Sequence, residues 1–178
     1  MSALALALAE ALADALDAGI DCIEHGSGLT PYLVDRMAAA GTALVPTRVQ
    51  LDNFPQYADA GEAKFPAYAT TMRELHARVD ETLRAAYDAG VPMFAGTDAG
   101  GVLPHGLIAQ EVAAMRGFGM SVDDALGAAS WRARSWLGRP GLEEGAPADL
   151  VVYDADPRAD LRVLTDPRRV VLNGRVVA

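Results

Sequence analysis

Leucines recur every four positions at Leu4, Leu8, Leu12 and Leu16, which places them on one face of a helix over about 3–18. Gly19 stands where a helix stop needs a left-handed residue. Residues 20–25 form a short apolar strand ending in His-Gly. Thr30-Pro31 then opens a helix, with Thr as N-cap and Pro in the first turn, and Gly41 closes it. Residues 42–47 read as a second strand with a polar end. The stretch 48–61 shows no period and reads as a long irregular loop. A long helix is expected over 63–89, closed by Gly90, and a third strand over 91–98. The glycine-rich 99–101 turn leads to Pro104-His105-Gly106 and another helix. Ser121, with Asp124 three residues on, resembles a capping box and opens a last helix that ends near Gly138.

From Gly141 the pattern changes. Residues 145–148 form a turn, 149–154 read as a buried strand, and 170–177 read as a hairpin around Asn173-Gly174. Upstream, strand and helix alternate three times, which implies parallel strands joined by crossovers. Each of the three strands ends in a polar residue beside a glycine or a loop: His25, Thr47 and Asp98. Both closed (β/α)₈ barrels and open doubly wound sheets put their chemistry at such ends. No GxGxxG and no P-loop follows any strand, which argues against nucleotide binding.

Composition narrows the class. Half of the chain is apolar, so a sizeable core is expected. The formal net charge is -9. It argues against a nucleic-acid surface and against an anionic membrane. Cys22 is the single cysteine, which excludes an internal disulfide framework and CxxC zinc sites. No apolar run is long enough to cross a membrane. The apolar start lacks a basic n-region, and Glu10, Asp14 and Asp17 follow it, so a cytoplasmic protein is expected.

Three residues are candidates for chemistry. His25 ends its strand on the side of Ile23, opposite Cys22 and Glu24. It reads either as a site histidine or as one bonded to a neighbouring loop. Asp98 follows Gly-Thr and precedes Ala-Gly-Gly, small residues that let a ligand approach closely; the alternative is a turn or cap. Imidazole and carboxylate from separate strand ends suit zinc or a similar divalent ion. Such an ion lowers the pKa of water to about 7 and supports hydrolysis. His105 is placed to touch substrate or to be a loop histidine without a role. His76, Lys64, Trp131 and Trp136 read as surface or packing residues. No Gly-x-Ser-x-Gly occurs, and Cys22 has no base on its face.

Three segments carry a resemblance: Ile-Asp-Cys-Ile-Glu-His-Gly (20–26), Gly-Thr-Asp-Ala-Gly with Pro-His-Gly (96–106), and Gly-Ala-Pro-Ala-Asp-Leu-Val-Val-Tyr-Asp (145–154). In this order and spacing the chain resembles the amidohydrolase superfamily, nearest to imidazolonepropionase-like and Xaa-Pro-dipeptidase-like members. The resemblance implies a partial (β/α)₈ TIM-type barrel, its last three strands and helices over 1–144. It also implies a C-terminal piece of a small β-sandwich over 145–178. It implies metal-dependent hydrolysis of a carbon–nitrogen bond, in non-peptide or cyclic amides, of a small-molecule substrate. His25 would be a metal ligand. Asp98 would be a metal ligand and the catalytic group that takes a proton from water. His105 would contact substrate, and the metal would be zinc.

The same resemblance marks what is missing. The first-strand His-x-His pair, the fourth-strand lysine or glutamate and the fifth-strand histidine have no counterparts, and Lys64 falls between the last two strands. A whole barrel takes about 250 residues. The chain therefore reads as the C-terminal portion of such a hydrolase. The alternatives are a catalytically inactive remnant, a subunit completed by a separate N-terminal half, or a coding sequence whose true start lies upstream. Weak metal binding by the chain alone and self-association, or capture by the complementary half, are expected.

Overall fold

The computed structural model describes residues 3–178 as an α/β fold with many helices and few strands. Helix α1 (Ala3–Asp17) leads to β1 (Cys22–Glu24), α2 (Pro31–Ala40) and β2 (Ala43–Val45). β1 and β2 are parallel, with Ile23 opposite Leu44. A third extended segment lies on the other side of β2 but forms only a one-residue parallel bridge, Leu44 to Met93. The third strand expected over 91–98 is thus much shorter, and two prolines account for it. Leu44 N–H donates to the Pro92 carbonyl, and Phe94 N–H donates to the Leu44 carbonyl. The next rungs would need N–H groups from Pro92 and Pro46, which have none.

α2 matches expectation: Thr30 accepts from Leu33 N–H, Pro31 fills the first turn, and Gly41 closes the helix at φ 72°. The expected loop over 48–61 instead holds two short helices, α3 (Arg48–Leu51) and α4 (Phe54–Gly61), the second started by Pro55. The expected single helix over 63–89 is two, α5 (Pro66–Ala77) and α6 (Val79–Asp88), broken at Arg78. His76 in the last turn of α5 and Asp80 and Glu81 in the first turn of α6 suit the two helix dipoles, which favours the break. After α7 (Ile108–Gly117), the expected last helix is likewise split into α8 (Val122–Ala128) and α9 (Trp131–Trp136). The capping box is present: the Ser121 hydroxyl accepts from Asp124 N–H.

The core joins Ile23, Leu33, Met37 and Leu44 to Leu83, Val112, Met115 and Leu126. Leu12 and Leu16 of α1 pack against it, whereas Leu4 and Leu8, expected on the same helix face, are exposed. The C-terminal residues form an antiparallel sheet of β3 (Leu150–Val152), β4 (Arg169–Leu172) and β5 (Arg175–Val176). Asn173 and Gly174 have φ 50° and 75°, as a type I′ hairpin turn requires. β3 is less buried than its sequence suggests. Val151 is 46% exposed, because the described residues leave one face of this small sheet open.

Candidate active site

Three polar residues follow the two paired strands and the bridged segment. His25 follows β1, and its N–H donates to the Val45 carbonyl. Thr47 follows β2. Asp98 follows the bridged segment on the far side of β2. That segment runs very close to β2: a Cβ on Gly96 would stand 2.5 Å from Val45 Cγ1.

All three residues share one backbone state. His25, Thr47 and Asp98 lie at φ 67°, 46° and 52°, in the left-handed region. Each such residue costs roughly 1–2 kcal/mol when it is not glycine. For the β-branched Thr47 this is a marked outlier. Strain of this kind collects where side chains must be aimed at a site. It also ends strand alternation at Glu24, so the sidedness expected for His25 does not carry over to it.

His25 is half-buried, and its Nδ1 lies 2.6 Å from Thr47 Oγ1. The same hydroxyl donates to the Pro46 carbonyl at 2.8 Å. Thr47 itself is 1% exposed. Asp98 and His105 are exposed. The His105 ring covers Gly100, whose missing Cβ would stand 3.3 Å from Cε1. Gly100 N–H closes the turn on the Leu103 carbonyl. Among the described residues no group of three or more His, Cys, Asp or Glu side chains is placed to hold a metal ion. Cavities of about 460 and 640 Å³ have linings that include none of His25, Thr47, Asp98 and His105.

Cys22 lies at the start of β1, its Sγ 3.8 Å from Glu24 Oε1. Burial and the Glu24 charge push its thiol up to about 11, so it is not a nucleophile at neutral pH.

Sequence reasoning missed Glu111. It lies on α7, is 0% exposed, and accepts from the backbone N–H groups of Arg48 (2.8 Å) and Val49 (2.9 Å). These are the first residues of α3, directly after Thr47. Burial pushes the Glu111 carboxyl above the ordinary carboxylate range, against the two N–H bonds that favour its charge. The signal was available: Glu111 falls on the stripe of Met115 and Phe118, at i−4 and i−7, where a charged side chain must be paired.

The amidohydrolase family profile matches residues 2–177. The chain belongs to the amidohydrolase family. A Mycobacterium tuberculosis protein with no assigned activity is 54% identical over 166 residues, covering 93% of this chain and 45% of its own length. A crystal structure of a Xaa-Pro dipeptidase with methionine bound in its active site is 28% identical, with a TM-score of 0.82 over 94% of this chain and 42% of that one. The ochratoxinase of A. niger is 25% identical, with a TM-score of 0.76 over 93% of this chain and 38% of its own. This amidohydrolase chain thus spans less than half the length of these relatives.

Proposed function

We propose that the chain is the C-terminal portion of a metal-dependent amidohydrolase that cleaves a carbon–nitrogen bond of the amide type. In this reading residues 1–144 supply the last strands and helices of a (β/α)₈ barrel, and 145–178 supply strands of a composite sandwich. The carrying observation is the left-handed trio His25, Thr47 and Asp98 at the C-terminal ends of adjacent parallel segments.

Members of this superfamily generally bind divalent metals. The donor chemistry here fits in part. His25 has Nδ1 engaged by Thr47, which leaves Nε2 for an ion, and Asp98 offers an exposed carboxylate one strand beyond Thr47. A catalytic zinc takes three protein ligands, so His25 and Asp98 would hold it with ligands from outside this chain. A divalent ion held there, which we take to be zinc, would supply Lewis-acid polarisation and lower the pKa of water. Asp98 takes the proton of the water that attacks the amide carbon, and returns it to the leaving nitrogen as the C–N bond breaks. His105, held over Gly100, contacts the substrate beside that carboxylate.

The test combines the chain with the part of the Mycobacterium tuberculosis relative that this chain does not cover, taken in this reading as its N-terminal part. The pair is assayed on a Xaa-Pro dipeptide, an N-acyl amino acid and an aryl urea. Hydrolysis of at least one substrate, reduced about 100-fold or more by Asp98→Asn, is expected. A folded pair without hydrolysis would favour a non-catalytic remnant.

A further inference from the structure

We propose that Thr47 and Glu111 are positioning residues that hold the His25 ring in one tautomer, with hydrogen on Nδ1 and the Nε2 lone pair free. The inference rests on the reading of His25 as a site residue but is decided on the ring itself.

The hydroxyl of Thr47 makes two short contacts and carries one proton. The Pro46 carbonyl can only accept, so it takes that proton at 2.8 Å. The remaining contact, 2.6 Å to His25 Nδ1, is then satisfied only if Nδ1 carries hydrogen and Thr47 Oγ1 accepts. In a neutral imidazole this leaves Nε2 as the basic atom.

The geometry depends on Thr47 staying in a conformation that a β-branched residue disfavours, at φ 46°. What holds it is on the next two residues. The α3 helix has no side-chain cap from Thr47, and its first N–H groups are taken instead by the buried carboxylate of Glu111, 63 and 62 residues away in sequence. Glu111 thereby ties the loop after β2 to α7. An apolar residue there would leave two half-buried N–H groups without their carboxylate partner and free Thr47 to relax.

The test uses the full chain labelled with ¹⁵N and is read at mildly alkaline pH, where free imidazole is neutral. The ¹⁵N shifts of the His25 ring report the tautomer, and hydrogen exchange reports the Arg48 and Val49 amides. The Nδ1–H form is expected to dominate in the parent chain and in Thr47→Ser, and to give way to a mixture in Thr47→Val. In Glu111→Gln, exchange at Arg48 and Val49 is expected to rise about 10-fold relative to core amides, with a partial tautomer shift. A His25 ring unchanged by Thr47→Val would overturn the proposal. So would a Glu111→Gln chain whose exchange rises equally everywhere. Neither readout needs metal or substrate, so failure here is separate from failure of the hydrolase reading.

Discussion

His25, Thr47 and Asp98 are the polar residues that end the three strands expected from the sequence, and the structure places all three in the left-handed region. Their positions are readable because each is a polar residue that closes a mostly apolar run. Their strain is not, because φ follows from the neighbours that hold each residue. Relief of that strain gives a prediction. Asp98→Gly is expected to be more stable than Asp98→Ala by about 1 kcal/mol in urea unfolding, since only glycine enters this conformation freely. Equal stabilities would mean that Asp98 is not held there. Asp124 makes a second case. Its carboxylate accepts from the Ser121 hydroxyl and from Tyr87 and pairs with Arg132, and these partners, Ser121 first, hold it below the ordinary aspartate value of 3.8. A lowered folded pKa contributes stability above the unfolded value, and that stability is lost as the pH falls through the folded one. Asp124→Asn should therefore be less stable at neutral pH and should lose less on acidification, as followed by thermal unfolding across the acid range. An acid limb as steep as the parent's would contradict this.

β2 is the element on which the proposed site rests, bonded to β1 on one edge and to the Met93 segment on the other. Its pairing was legible from the alternation of strand and helix. The shortness of the third strand was also written in the chain, in Pro46 and Pro92, but only a known register shows that both prolines fall on the same ladder. The helix breaks at Arg78 and near Ser130 were hidden because apolar periodicity continues across them, while the caps and dipoles that end a helix are local. Gly96 lets the third segment approach β2, and its absent Cβ would meet Val45. Gly96→Ala is expected to destabilise by about 1–3 kcal/mol through overpacking, with part recovered in the Gly96→Ala, Val45→Ala double variant. Full additivity of the two changes would show that they do not meet.

The whole chain exposes apolar surface. Leu4, Leu6 and Leu8 on α1, Val151 and Val176 on the small sheet and Val177 just after it are exposed. Among the described residues β1 pairs only with β2, and β3 and β5 each have one free edge. No described helix is long and apolar enough to cross a membrane. Open edges and apolar faces favour association, and salt screens the opposing charge within about 10 Å. Sedimentation velocity is therefore expected to show dimers or larger species that grow with concentration and salt, whereas a single monomer at all conditions would mean that these faces find cover within the chain. The most direct test of the central claim, that this chain carries part of a divided metal site, is zinc stoichiometry by mass spectrometry. The chain is measured alone and combined with the N-terminal part of its Mycobacterium tuberculosis relative, each with and without His25→Ala. The chain alone is expected to hold little zinc, and the pair to hold about one ion per complex that His25→Ala removes. Stoichiometric zinc in the chain alone that is lost in His25→Ala, or zinc in the pair that His25→Ala leaves in place, would contradict the account.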